Sequence, residues 1–219
     1  MTERGRVGRP PKVNREQVVA AAADILTNEG PLKFSMRTLA ARLDISAMGI
    51  YHYFDSKNDL LGAVLEHQSW NTPIPELSDD PRERLVQLPL AVVEHLTEHP
   101  WVIDVLAGDE IIDAYSAWSF DEFLQTTDRL DIPEDESLHL LLGLWRIVIG
   151  EVTVRTNHAL RDARPTSTPW YEREIPQHVI DRPRLARALG SLDPSSATYD
   201  FRSTITAYLH GALGDRFPG

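Results

Sequence analysis

No cysteine occurs among the 219 residues, which excludes disulfides, thiol catalysis and cysteine-ligated zinc. No stretch approaches the roughly 18 uninterrupted apolar residues of a membrane span. The start of the chain is polar and arginine-rich, without the apolar core of a signal peptide. These gaps predict a soluble, cytoplasmic protein with no membrane partner. Strand-type alternation and internal repeats are missing too. So are a Gly-rich phosphate loop, a G-x-S-x-G elbow and a dinucleotide fingerprint. The carboxylates are scattered, as on solvated faces. No cofactor is expected, and an enzyme is not the reading.

What is present is an ordinary globular composition, 42% hydrophobic and 25% charged, on a chain long enough for a substantial core. Charge divides it. Residues 1–60 carry nine Lys/Arg and seven Asp/Glu, whereas the rest carries thirteen and twenty-six, for a net charge of −11. Arg4, Arg6, Arg9, Lys12 and Arg15 oppose only Glu3 at the start. A basic head on an acidic body is either a solvated tail or a localised polyanion contact.

Gly5, Gly8, Pro10 and Pro11 make residues 1–13 a flexible basic arm. Asn14 with Gln17 reads as a capping box, followed by the stripe Val18, Ala22, Ile25 and Leu26. Gly30 and Pro31 stop that helix. Ser35 caps a second helix with Leu39, Ala40 and Leu43 inside. Asp44 and Ile45 make a tight turn. Ser46 caps a short third helix running to Phe54, and Ser56 with Asp59 opens a fourth containing Leu60, Leu61, Val64 and Leu65. Two short helices joined by so brief a turn, and braced on either side, are a helix-turn-helix unit. After "WNTPIPELSDDP" the body reads as helices near 82–98, 100–107, 110–130, 135–163, 171–189 and 195–213, with "RPTSTPWYEREIP" as a loop or lid.

At 100° per residue, Ile50 and Phe54 form the inward pair of the third helix, with Met48 and His52 opposite and Gly49 and Tyr51 on the flanks. Ala47 sits in the first turn. A helix entering a major groove needs small or slender side chains near its start, and Ala47, Met48 and Gly49 supply them. Tyr51 and Lys57 flank the face where phosphates would run, and Lys57 lies in the first turn of the next helix.

"FSMRTLAARLDISAMGIYHYFDSKNDLL", preceded by "VVAAAADILTNEG", resembles the DNA-binding domain of the TetR family of transcriptional repressors, over roughly residues 14–65. The resemblance implies an all-α fold, with an N-terminal three-helix helix-turn-helix domain at 14–67 and a helical ligand-binding and dimerisation domain at 78–219. It implies a homodimer that leaves a double-stranded DNA operator when an unknown small-molecule effector binds. Family positions for base contact fall on Arg37, Ala47, Met48 and His52, and those for phosphate contact on Thr38, Gly49, Tyr51, Tyr53 and Lys57. Ser46 opens the same helix and joins the set. One departure is Asp44, where the family's turn usually has glycine; aspartate tolerates the left-handed conformation better than most residues. Met48 and Ala47 can touch thymine methyls but cannot read guanine, which shifts specificity toward Arg37 and the arm. "GRVGRPPK" resembles minor-groove arms.

In the body, Leu138, Leu142, Trp145, Ile149 and Val152 follow 4-3-4-3 spacing. Leu140, Leu141, Leu144, Ile147, Val148 and Val154 cover further sides, so the helix is expected to be central and nearly surrounded. Gly143 and Gly150 allow either a close helix crossing or room for a ligand. His139, Arg146, Glu151 and Arg155 interrupt it, either as a mutually paired core network or as part of an effector pocket. The pocket reading takes its apolar walls from Trp101, Tyr115, Trp118, Phe120 and Phe123, with Trp145 of the central helix in the same ligand set. Glu151 with Arg155, one turn apart, would leave Arg146 for the ligand. The dimer interface falls either on the seam or on the last helix with Phe201, Ile205, Tyr208 and Leu209; in the family the two final long helices pack across the twofold.

"HLTEH" at 95–99 matches a metalloprotease pattern, but Pro100 biases His99 out of helical geometry and no third ligand is evident. It reads as a helix end whose histidines suit the dipole, with no metal. A constitutive DNA-binding dimer without an effector is the alternative function, and a helical zinc enzyme the third.

Overall fold

The computed structural model describes residues 13–99, 101–102, 113–162, 177–190 and 200–217. Every regular element among them is helical. The basic arm, most of the helix expected at 100–107 and the loop at 164–176 lie outside the described residues.

Local signals set the first elements. Helix α1 (Arg15–Asn28) opens on a full capping box. Asn14 Oδ1 accepts the Gln17 N–H at 2.8 Å, and Gln17 Oε1 accepts the Asn14 N–H at 2.9 Å. Two helix-end donors are thereby satisfied. Gly30, at φ +84°, turns the chain into a short 3₁₀ segment, Pro31–Lys33. Helix α2 (Met36–Arg42) opens on a second box, between Ser35 and Thr38. It closes as a Schellman motif: Ile45 N–H donates to the Ala40 carbonyl and Asp44 N–H to Ala41. Asp44 takes φ +51°, the left-handed residue this motif requires. Aspartate fills the glycine's place.

Helix α3 (Ala47–Tyr51) stops short of the expected end at Phe54. Tyr53 and Phe54 N–H groups both donate to the Ile50 carbonyl, closing the last turn and carrying Phe54 inward. Helix α4 (Lys57–Ser69) is capped by Ser56, but Asp59 reaches back to the N–H of Asp55 rather than of Ser56. Leu39, Ile50, Phe54, Leu60, Leu61, Val64 and Leu65 form the core of the head with Val18, Ala22, Ile25 and Leu26. Arg42 forms ion pairs with both Asp24 and Glu29, bracing α2 on α1.

The later helices are α5 (Pro81–Thr97), α6 (Ala114–Asp128), α7 (Glu134–Asp162), α8 (Gln177–Ile180), α9 (Pro183–Gly190) and α10 (Phe201–Leu213). The single helix expected over 171–189 is instead broken at Asp181 and Arg182. Proline pushes its predecessor out of helical geometry and prefers the first helical position, so the chain restarts at Pro183. The chain packs as two compact units, Met1–Glu76 with Glu94–Glu122, and Leu77–Val93 with Phe123–Gly219. The unit holding the helix-turn-helix therefore extends past residue 67 to include the end of α5 and the start of α6.

Helix α7 corrects the sequence reading most. Its buried face is Ser137, Leu140, Leu141, Leu144, Val148, Val152 and Thr156. The other side is open: Leu138 is 49% exposed, Leu142 45% and Val154 52%. His139 and Arg146 are exposed as well. The helix is not surrounded, because nothing else in the second unit covers that side among the described residues. By length and composition Glu134–His158 is apolar enough to cross a bilayer, yet it carries His139, Arg146, Glu151 and Arg155. Gly143 serves a close crossing, since a Cβ there would lie 1.9 Å from Tyr208 Oη on α10. Phe201, Ile205 and Leu209 of α10 are buried within the chain, which removes them from any interface.

Candidate nucleic-acid interface

The ten head residues singled out by sequence separate into two groups by what their polar atoms do. Thr38, Ser46 and Tyr53 serve the fold. Thr38 Oγ1 accepts the Ser35 N–H and lies 3.0 Å from the Lys33 carbonyl and 2.9 Å from that of Ser35, so its proton is engaged in capping. Ser46 Oγ accepts the Gly49 N–H at 3.2 Å and starts α3. Tyr53 donates its hydroxyl to the Val13 carbonyl at 2.7 Å. That bond roots the incoming chain beside α3. The phenol's role as an anchor was not legible in the sequence, because its partner lies forty residues upstream.

The second group faces outward. Met48 is 75% exposed and Tyr51 43%. His52 and Arg37 are exposed, while Ala47, Gly49 and Lys57 are half-buried. Beneath them Ile50 and Phe54 are sealed, and the Arg15 guanidinium covers the Phe54 ring at 4.8 Å. Lys57 Nζ sits 5.9 Å from the Phe34 ring centroid, at the first position of α4. The result is a short helix with a slender, donor-poor tip and a cation and a phenol beside it. Arg4, Arg6, Arg9 and Lys12 lie outside the described residues.

Gly49 has room for a side chain within the protein. A Cβ there would meet only Ile45 Cδ1 and Cβ and Ser46 Oγ, at 3.5–3.7 Å, ordinary contact distances. Nothing inside the protein requires glycine, which costs a helix interior about 0.5–1 kcal/mol against alanine. Gly49→Ala should therefore raise stability by about that amount in urea titrations and at the same time weaken DNA binding. A variant that binds DNA as well as the parent would mean the backbone at Gly49 does not approach the duplex.

The body residues singled out for an effector divide differently. Trp101, Tyr115 and Trp118 lie in the first unit; Phe123, His139, Trp145, Arg146 and Glu151 lie in the second. Trp101, Tyr115 and Phe123 are buried. Glu151 pairs with Arg155 at 2.7 Å, and Arg146 donates to its own helix at the Leu142 carbonyl, 2.9 Å away. His139 Nδ1 lies 2.9 Å from the Asp135 carbonyl. Arg146 and His139 are solvent-facing, so the argument that burial forces them onto a ligand has no basis. In the second unit a half-open hollow of about 300 Å³ is lined by Leu124, Gln125, Asp128, Ile132, Glu134 and Ser137, none of them anticipated.

His95 was read as a helix-end histidine and is instead buried, at 3% exposure. Its Nε2 faces Ser69 Oγ at 3.1 Å and its Nδ1 faces Thr72 Oγ1 at 3.3 Å. Tyr115 stacks on it at 4.4 Å, and the His99 ring meets it edge-on at 5.7 Å. Burial and the nearby carboxylates push the Tyr115 phenol up to about 12. Among the described residues, no three His, Asp or Glu side chains converge as a metal site.

Capped helices, a left-handed turn at Asp44 and an outward reading face define a helix-turn-helix protein with a helical body. Residues 18–64 match the model for bacterial regulatory proteins of the tetR family. By that match residues 18–64 are similar to the DNA-binding part of that family. The chain is 27% identical over 115 residues to an HTH-type transcriptional regulator of Saccharopolyspora erythraea, covering 52% of this chain and 48% of that protein. It is 25% identical over 145 residues to the HTH-type transcriptional repressor DrrR1 of Streptomyces coeruleorubidus, covering 65% and 54%. The chain thus spans about half the length of these curated relatives. Two solved structures share the fold. Streptomyces coelicolor ActR in complex with (S)-DNPA superposes with TM-score 0.65 at 17% identity, over 94% of this chain and 98% of that one. BioQ with its double-stranded DNA operator gives 0.55 at 19%, over 82% and 99%.

Proposed function

We propose that this protein is a cytoplasmic transcriptional repressor, binding a palindromic operator as a homodimer and released from it by a small-molecule effector. The observation that carries the reading is the outward face of α3, with Met48, Tyr51 and His52 exposed directly above the sealed pair Ile50 and Phe54. The head at 14–67 reads DNA, the arm with Arg4, Arg6, Arg9 and Lys12 follows the minor groove, and the part from residue 78 dimerises and takes the effector.

A lone head spans one groove, and two heads must reach major grooves roughly 34–36 Å apart. The exposed Leu138 and Leu142 on α7, with the half-buried Trp145 and Ile149 on the same stripe, support a twofold contact. So does the outward side of α10, where Ala207 and Gly211 are small enough for close approach. A second copy is the occupant that fits a stripe punctuated by arginine and histidine; lipid would leave those charges unsolvated. For the effector, the buried aromatic residues Trp101 and Tyr115 of the first unit remain candidates for apolar walls, and the ActR complex supports a ligand-bearing body. Arg37, Thr38, Ser46, Ala47, Met48, Gly49, Tyr51, His52, Tyr53 and Lys57 form the DNA-contacting region, with Thr38, Ser46 and Tyr53 acting through the fold. The constitutive dimer differs in one respect: no small molecule would change its DNA affinity.

Competition binding against a duplex selected from a random pool tests the docking. Tyr51→Ala and Lys57→Ala should weaken binding to every sequence, and Lys57→Ala should lower the salt slope by about one per subunit. Substitutions of Met48 and His52 should instead change the preferred base pairs, by about 1–3 kcal/mol per position. An unchanged affinity and salt slope in Lys57→Ala would show that the helix docks otherwise.

A further inference from the structure

His95 sits where three helices meet inside the first unit: the end of α4, the last turns of α5 and the start of α6. Ser69 Oγ donates to the Leu65 carbonyl at 2.9 Å, so at the 3.1 Å contact with His95 it can only accept, and Nε2 carries a proton. Thr72 Oγ1 lies 3.3 Å from Nδ1 and 3.3 Å from the Gln68 carbonyl. Its single proton can serve one of them at a time. With a neutral ring, Thr72 donates to Nδ1. With a charged ring, Nδ1–H donates to Thr72 Oγ1, and the hydroxyl turns to the Gln68 carbonyl. The contact between Nδ1 and Thr72 Oγ1 is kept in both states, while the bond from Thr72 to the Gln68 carbonyl forms only with the charged ring.

A counter-charge is in place. Asp113 Oδ2 lies 3.8 Å from Nε2, and both side chains are 1% exposed. The other oxygen, Oδ1, accepts the Ser116 N–H at 2.8 Å and caps α6. Glu66 of α4 accepts the Ala114 N–H at 2.9 Å, so α4 and α6 are joined on either side of the histidine. Among the described residues, the titratable groups facing the ring are Asp113 and Tyr115 from α6, and Glu98 and His99 at the end of α5. From α4 and the segment after it come only the hydroxyls of Ser69 and Thr72.

We propose that His95 is a proton-binding site that couples the pH of its surroundings to the end of α4. Uptake of a proton turns the Thr72 hydroxyl onto the α4 backbone and draws Asp113, with the α6 N-terminus it caps, toward Nε2. The same helix carries Lys57 at its other end, so the site lies one rigid helix from the reading head. Burial holds the ring below the ordinary histidine value of 6.5, with Asp113 and Glu98 opposing that shift. The folded protein thus binds this proton only in acid, where the unfolded chain already holds it. Stability owed to His95 is complete above about pH 6.5 and is lost as pH falls from there through the folded value.

The test is NMR on the full chain, following His95 Cε1–H and the amides of Leu65–Thr72 from about pH 7.5 to about pH 4.5. The expected result is a His95 midpoint below 6.5, with the Ser69 and Thr72 amides titrating at the same midpoint. In His95→Gln that amide titration should vanish. Thr72→Val should lower the midpoint, because a charged Nδ1 then lacks an acceptor, and Asp113→Asn should lower it while keeping the cap. Amides that ignore the His95 midpoint, or titrate unchanged in His95→Gln, would overturn the proposal. If that variant does not fold, an unchanged midpoint in Thr72→Val does the same. On a duplex selected at about pH 7.5, the affinity ratio between that pH and about 5.5 should differ at least about threefold between wild type and His95→Gln. The exposed His52 is common to both proteins and cancels. Equal ratios would sever the site from the head, while failure to bind any duplex would sink the repressor reading and leave the NMR result standing.

Discussion

Phe54→Ala should destabilise the head by about 3–5 kcal/mol, the range for deleting a fully buried aromatic ring. Phe54 is 1% exposed and lies where α3 ends, with the Arg15 guanidinium across its ring at 4.8 Å. Truncation removes the transfer energy of the ring and leaves a cavity under Ile50 that the α3 turn is too short to collapse into. It also strips Arg15 of its cation–π partner. A loss of that size approaches the whole stability of many domains, so α3 would no longer be held in place and sequence-specific DNA binding would disappear with it. Urea titration monitored by circular dichroism and a binding assay on the same preparation provide the check. A loss below about 1 kcal/mol would mean that α3 is fixed by its cap and its turn rather than by this ring.

Leu142→Arg should convert the proposed dimer to a 24.7 kDa monomer at micromolar concentration. Leu142 is 45% exposed in one chain, one turn from the 49% exposed Leu138 on the open side of α7. A twofold interface uses each residue twice. With 45% of each Leu142 left to bury, losing the burial of two costs about 1.4–2.7 kcal/mol, and the desolvation of two guanidinium groups adds to it. At 1.4 kcal/mol per tenfold, the dissociation constant rises at least about tenfold. Because Leu142 points away from the buried face of its own unit, the variant should keep its fold and its far-ultraviolet spectrum. Sedimentation equilibrium that shows wild-type mass for Leu142→Arg would move the interface elsewhere.

The helix caps of the head were legible from sequence, whereas the reach of Asp59 to Asp55 and of Tyr53 to Val13 was not. Asn14 with Gln17, Ser35 with Thr38 and Ser46 with Gly49 are partners three residues apart, and geometry at that range follows from residue type alone. The turn at Asp44 is a similar case: any residue there must go left-handed once α2 ends at Leu43, and aspartate can. The outward set of α3 followed from the 100° spacing, because Ile50 and Phe54 left only one way to orient so short a helix.

Where the sequence misled, the helix offered more than one plausible inner face. Helix α7 carries leucine, isoleucine or valine on nearly every side, so periodicity could not say which stripe meets its own chain and which is left for a partner. Packing chose Leu140, Leu144, Val148 and Val152, and turned Leu142, Arg146 and His139 to the outside. His95 shows the other limit. Its neighbours Ser69, Thr72 and Asp113 are 26, 23 and 18 residues away, and a contact of that separation is set by how helices cross rather than by any local preference. The sequence by itself determined where the head's helices begin and which side of α3 is open. Only the tertiary structure decided what is buried in the body, because burial is a property of the partner surface and not of the residue.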